Sequence, residues 1–131
     1  MVKGIGVDIV EIHRMERAIQ KYPRLLSRLF TLQEQEYCQS RLRPHLHFAV
    51  RFAAKEAVLK ALGTGLRGIK WTDLEICRDS FGKPFIRLRG KAASIAEEKG
   101  VSDILISLSF SHESAIAFAL ARGGGEDICT S

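Results

Sequence analysis

At 131 residues and 14.6 kDa, with 46% hydrophobic residues and only 3 prolines, the chain is sized for one compact domain with a real core. No apolar run approaches the ~20 residues that span a bilayer, so no membrane contact is expected. The net charge of +5 and pI of about 9.4 call for an anionic partner: nucleic acid, an acidic protein or a phosphorylated small molecule.

"MVKGIGVDIVEIHR" is not a signal peptide, because Asp8 and Glu11 interrupt its apolar stretch. It opens with a strand, "KGIGVDI", that sets Ile5, Val7 and Ile9 on one face and Gly4, Gly6 and Asp8 on the other. "EIHRMERAIQKY" reads as a helix with the apolar stripe Ile12, Met15, Ala18 and Ile19, ended by Pro23. From Glu11 to Phe30 five basic residues (Arg14, Arg17, Lys21, Arg24 and Arg28) face two acidic ones. A short helical piece, "RLLSRLF", follows. Thr31 and Glu34 then stand at capping-box spacing and start another helix.

The longest helix is expected over 47–62, with Val50, Ala54, Ala57, Val58 and Ala61 buried. "WTDLEICRD-SFGKP-FIRLRG" is two alternating runs around a glycine turn, a β-hairpin. "KAASIAEEKG" is a helix closed by Gly100. "DILISLSF" and "SAIAFALA" are two more strands. In the second, Ile116, Phe118 and Leu120 form a bulky face expected in the core. Its alanine face is left for a close neighbour. The fold class is α+β, a small antiparallel sheet packed with helices, over residues 1–122. "GGGEDICTS", 123–131, is a flexible tail. Cys38, Cys77 and Cys129 are odd in number and far apart, which fits neither a disulfide framework nor a CxxC site. A reducing cytoplasm suits them.

Candidate chemistry gathers at few positions. Asp8 ends a strand face otherwise made of glycines, where something else can approach the backbone; it also serves as a plain helix cap. Glu56 and Lys60 share a helix face four residues apart, and a solvated i,i+4 pair explains them equally. Were Asp8 and Glu56 to meet in space, they would be hard-oxygen ligands for Mg²⁺, with Lys60, Arg51 and Lys55 as phosphate partners. "GTG" at 63–65 lacks the GK[ST] of a phosphate-binding loop and reads as a helix end. His112 lies in a turn between strands, a place for a surface residue or a ligand contact. No acyl-transfer triad, HExxH or GxGxxG occurs.

"GIGVDIVEI", "RFAAKEAVLKALGTG", "W-TDLEI-RD-GKPFI-L-G" and "ISLSFSHE-AIAFA", in that order over residues 4–121, resemble the holo-(acyl-carrier-protein) synthase family, the small bacterial 4'-phosphopantetheinyl transferases. The resemblance implies transfer of the 4'-phosphopantetheine arm of coenzyme A to a serine of apo-acyl carrier protein, with release of adenosine 3',5'-bisphosphate, in fatty acid biosynthesis. It implies Asp8 and Glu56 as Mg²⁺ ligands, Lys60 as the phosphate-contacting lysine and Arg51 as a basic residue by the nucleotide phosphates. Gly82, Lys83 and Pro84 would lie along the adenosine and His112 near the coenzyme, if the turn there is short. Glu56 is the candidate base for the serine proton. The carrier would dock on the first helix, at Arg14 and the basic stretch after it. The family pattern is a homotrimer with three sites between neighbouring chains, the docking helix from one chain and the metal acids from the next. Two rivals remain: a nucleic-acid-binding domain, which lacks a recognition signature here, and a Mg²⁺-dependent hydrolase of coenzyme A.

Overall fold

A computed structural model of the chain describes residues 1–124. Strand β1 (Val2–Glu11) runs straight into helix α1 (Ile12–Lys21), followed by α2 (Leu25–Leu29), α3 (Leu32–Gln39) and the long α4 (Pro44–Leu62). A 3₁₀ turn (Trp71–Asp73) leads into the hairpin β2 (Leu74–Arg78) and β3 (Pro84–Leu88). Helix α5 (Gly90–Glu98) and strands β4 (Val101–Phe110) and β5 (Ser114–Gly123) complete the described chain. The tail expected from 123 starts later than that, because Gly123 still belongs to β5, and its residues from 125 on lie outside the described residues.

The main sheet has three antiparallel strands in the order β1-β5-β4, and β2-β3 pair separately. The α+β expectation holds. Thr31 and Glu34 form the reciprocal capping box that starts α3. Helix α4 begins at Pro44, three residues before the expected start, because proline at a first helical position needs no N–H partner. It ends on Gly63, whose φ of 74° is the left-handed cap that glycine favours.

Which sheet face points inward differs from the expectation. Gly4, Gly6 and Asp8 pair with Ala121, Ala119 and Ala117, and this small-residue face lies on α4. A Cβ built on Gly4 would come 2.0 Å from the Ala61 carbonyl oxygen, and one on Gly6 would come 2.1 Å from that of Ala57. So the close neighbour of the glycine and alanine faces is a helix of the same chain. The bulky face is turned outward instead: Ile5, Val7 and Ile9 are 59%, 54% and 63% exposed, and Phe118, Ile116 and Leu105 are exposed beside them. Only small side chains let a helix approach the sheet this closely, so packing selects the small face.

Core residues gather at both ends of α4. Its C-terminal half packs with the sheet, the 3₁₀ region and α5, through residues such as Ala57, Leu62, Leu74 and Ala96. Its N-terminal half packs with α1–α3 through Met15, Leu29, Phe30 and Phe48. All five residues expected in the buried stripe of α4 are buried.

Gly6→Ala should destabilise the protein by about 2–3 kcal/mol, the cost of overpacking a seated backbone. The measurement is the urea midpoint; an unchanged value would show that α4 does not rest on this glycine.

Candidate active site

Asp8 continues the inward face of β1 one pleat past Gly6, which brings its carboxylate to α4. Lys60 reaches back from the helix and donates from Nζ to the Val7 carbonyl oxygen (2.9 Å) and to Asp8 Oδ1 (3.1 Å). The i,i+4 partnership expected for Lys60 and Glu56 is thus replaced, among the described residues, by an ion pair between helix and strand. Glu56 and Asp8 line one cleft of about 580 Å³, together with Glu11, Arg14, Phe52 and Ser114. Burial first, and then the Asp8 carboxylate, push Glu56 above its ordinary value, while Lys60 opposes the shift.

A divalent cation fits these donors. Two carboxylates share a cleft, and one resists ionisation partly because of the other, which is the charge excess that a cation relieves. Among the described residues no three His, Cys, Asp or Glu side chains are placed to hold a metal ion together. The protein side therefore offers two carboxylates, with room for water and phosphate oxygens, as Mg²⁺ prefers.

On its other side Glu56 borders a second recess with Lys60, Gly63, Gly65, Leu66 and Trp71. The "GTG" loop therefore shares a recess with Glu56 and Lys60, although Gly63 itself is a helix cap. Leu66 and Trp71 continue into a third groove that ends at Ser27, Arg28 and Lys70.

Arg51 and Lys55 are not on that surface. Lys55, expected as a phosphate partner, is 0% exposed and its ammonium is fully engaged. Nζ donates to Glu34 Oε1 (2.7 Å), the Leu29 carbonyl (2.6 Å) and the Trp71 carbonyl (3.1 Å). Burial pulls its pKa down and Glu34 opposes.

Arg51 is 2% exposed and stacks 4.2 Å from the centre of the Tyr37 ring, with Arg41 and Arg78 each 5.3 Å from the same ring. Among the described residues its Nε and Nη1 have no hydrogen-bond partner. They belong to a residue lining a cavity of about 350 Å³ with Tyr37, Arg78, Phe85 and Arg87. His47, edge-on to Tyr37, is held below its ordinary value by burial and then by Arg51 and the neighbouring arginines. The chemistry of this cavity, a buried guanidinium with further arginines around it, is of the kind that can hold an anion.

Gly82 and Lys83 shape the turn of the adjoining hairpin, and Pro84 opens β3. Asp79 Oδ1 accepts from the backbone N–H groups of Phe81 and Lys83, Gly82 has φ of 82°, and Arg78 Nη1 donates to the Gly82 carbonyl (2.6 Å). Arg78 thus ties the turn to the Arg51 cavity. His112 is exposed in the β4–β5 turn, outside the lining of both the Asp8–Glu56 cleft and the Arg51 cavity. Its neighbour Ser114 does reach the cleft.

The basic stretch of α1 and α2 is exposed throughout. Arg14 borders the same cleft as Asp8 and Glu56, so within one chain the basic helix lies beside the two acids. Arg24 and Arg28 rim an apolar hollow made by Tyr22, Pro23 and Leu25. Sequence reasoning missed Phe52, Trp71, Tyr37 and Arg78. Phe52 was readable, being one helical turn before Glu56; the other three come from segments that only folding brings near.

Residues 4–119 match the 4'-phosphopantetheinyl transferase superfamily. The chain is 50% identical over 121 residues to the holo-(acyl-carrier-protein) synthase of Alkaliphilus metalliredigens, covering 92% of this chain and 99% of that protein. The crystal structure of the Neisseria meningitidis holo-(acyl-carrier-protein) synthase matches with a TM-score of 0.85 at 37% identity, over 93% of this chain and 99% of that one. The Bacillus anthracis holo-(acyl-carrier-protein) synthase in complex with CoA (3',5'-ADP) matches with a TM-score of 0.79 at 31% identity, over 95% and 99%. The fold and sequence define a 4'-phosphopantetheinyl transferase. Within that superfamily the chain belongs to the holo-(acyl-carrier-protein) synthase family.

Unfolding returns Glu56 to its ordinary value of 4.5, so above that pH the metal-free folded protein carries a penalty for the charge. Glu56→Gln should therefore raise the Tm of chelator-treated protein at pH 7. The gain should shrink as pH falls through the raised value and vanish below the ordinary one. A variant that melts lower at pH 7 would show that the carboxylate is not under strain.

Proposed function

We propose that this protein transfers the 4'-phosphopantetheine arm of coenzyme A to a serine of apo-acyl carrier protein, using the Asp8–Glu56–Lys60 cleft. The observation that carries the site is the meeting of Asp8 and Glu56, from elements 48 residues apart, beside a lysine. The relatives' names state the activity, and the Bacillus anthracis structure holds the coenzyme.

The serine Oγ attacks the pantetheine-side phosphorus of the diphosphate. The bond from that phosphorus to the bridging oxygen breaks, and adenosine 3',5'-bisphosphate leaves. Glu56, the carboxylate beside the Asp8–Lys60 pair, accepts the serine proton directly or through a water. Lys60 offsets charge on the diphosphate from the same helix face. The Lys60 ammonium also donates to Asp8 Oδ1 and so fixes the second carboxylate. Mg²⁺ held by Asp8 and Glu56 supplies Lewis-acid stabilisation of charge on the phosphate oxygens.

Arg51 with Arg78 and the Gly82–Lys83–Pro84 turn receives the adenosine bisphosphate end. Its orphaned guanidinium nitrogens support this, since an anion would satisfy them. His112 is the weaker member, supported by the family pattern alone. Arg14, Arg17, Lys21, Arg24 and Arg28 form the face for the acidic carrier. A reducing cytoplasm accords with the free thiols of Cys38 and Cys77.

Incubation with apo-carrier, coenzyme A and Mg²⁺ should add one phosphopantetheine to the carrier, read by mass spectrometry. Asp8→Asn, Glu56→Gln and Lys60→Ala should each lower kcat by about 10²-fold. Chelation should abolish activity and Mg²⁺ restore it. An unmodified carrier sinks the transferase reading, and release of pantetheine phosphate into water would favour a hydrolase.

Assembly as a homotrimer belongs to the same reading. Glu56 lies five residues from Arg51 on α4, about 140° around the helix. One coenzyme bridging both features is more easily served by two chains, with Arg51 from one and the acids from the next. The exposed apolar face of Ile5, Val7, Ile9, Ile116 and Phe118 supplies a surface for self-association. Light scattering should give three times 14.6 kDa. Mixing inactive Arg51→Ala and Glu56→Gln chains should return part of the activity after subunit exchange. A monomer, or proven exchange without rescue, removes the shared site.

A further inference from the structure

Lys55 is the one residue of the "AAKEA" run whose charge the proposed chemistry does not use, and it is wholly buried. Burial of an ion pair seldom stabilises more than apolar packing of the same volume. Stability is therefore a poor account of a lysine at this position. What an ammonium supplies and a methionine cannot is three directed hydrogen bonds, and Lys55 makes all three.

Their targets are informative. One is the Leu29 carbonyl at the end of α2, which carries Arg28. The second is Glu34, whose Oε1 also accepts from Thr31 N–H and whose Oε2 accepts from Ile76 N–H, so the pair ties α3 and β2 together. The third is the main-chain carbonyl of Trp71 (3.1 Å). The Trp71 ring packs on Phe52 with centroids 5.0 Å apart, and Phe52 lines the cleft that holds Glu56. Trp71 itself walls both the recess with Glu56 and Lys60 and the groove that runs on to Ser27 and Arg28. Lys55 and Glu56 are consecutive on α4. The same helical turn thus presents a reacting carboxylate outward and, inward, a bolt on the aromatic wall beside it.

We propose that Lys55, paired with Glu34, is a positioning residue: it fixes Trp71 as the wall along which the arm of coenzyme A lies next to Glu56. The inference rests on the transferase reading. The groove past Trp71 has a mostly apolar floor of Leu66, Ile69 and Trp71. That suits the uncharged amide arm, while the charged ends of the coenzyme are met by Lys60 and the Arg51 cradle.

The test replaces both partners, Lys55→Met with Glu34→Gln, so that no lone charge stays buried. Trp71 is the single tryptophan, so its fluorescence reports the wall directly. The double variant should keep its cooperative melt. Its KM for coenzyme A should rise about tenfold while the KM for carrier stays within about twofold. Its Trp71 emission should shift red and lose its response to added coenzyme A. Trp71→Ala should reproduce the rise in KM for coenzyme A. A folded double variant with unchanged KM and unchanged emission response overturns the proposal. Should that variant not fold, Trp71→Ala decides: an unaltered KM for coenzyme A overturns it equally. Wild-type protein assayed in the same series separates the two levels. An inactive wild type defeats the transferase reading, whereas an active wild type with indifferent variants defeats only the role of Lys55.

Discussion

The approach of α4 to β1 sets almost everything else. At Gly4 and Gly6 the helix carbonyls of Ala61 and Ala57 lie where a side chain would be. The partner strand presents Ala117, Ala119 and Ala121 on the same side. With that seat fixed, the next inward position of β1 is Asp8, and it has to face the helix. The two carboxylates meet because two hydrogen atoms stand where methyl groups would hold the elements apart. Moving the helix out by a methyl layer would separate Lys60 from Val7 and Asp8 as well as open the core.

Along α4, burial decides what each charge is for. Arg51, Lys55, Glu56 and Lys60 are all charged helix residues within three turns. Lys55 is spent inside, in hydrogen bonds that organise three neighbouring segments. Arg51 is equally buried but only partly satisfied, leaving two nitrogens to be met from outside. Glu56 is half-buried, so its charge is costly, and Lys60 offsets only part of that cost. Lys60 alone is exposed, and it reaches across to the strand. A single helix thereby divides its charges among the core, the Tyr37 cavity and the Asp8 cleft by the direction each side chain points.

Much of this architecture was readable. Alternation gave the strands, Thr31 and Glu34 marked the start of α3, and the turn residues around Gly82 marked the hairpin. Both faces of β1 and β5 carry apolar or small residues at period two, so alternation alone does not say which face is inward. Bulk argued for Ile116 and Phe118 inside, and the tight helix seat reversed it. Spacing paired Glu56 with Lys60 because i,i+4 is the nearest contact on an isolated helix; the strand offered Lys60 a carboxylate and a carbonyl instead. Lys55 looked like a surface cation because α4 is buried nearly all round, which leaves no polar stripe to recognise. The meeting of Asp8 and Glu56 was legible only through resemblance, since no local pattern connects residues so far apart in sequence.

The strand order β1-β5-β4 has a further meaning for a chain made from its N-terminus. β1 is synthesised first, yet its partner in the sheet, β5, is the last element of the described chain. Until residues 114–123 have left the ribosome, β1 has no strand beside it and β4 has lost its neighbour too. The hairpin and the helices can form locally in the nascent chain, whereas the sheet closes through contacts of high sequence separation, which are slow to find. The glycine seat on which the acids depend is thus assembled late. A growing polypeptide holds Asp8, Glu56 and Lys60 well before it holds the cleft they share with Ser114.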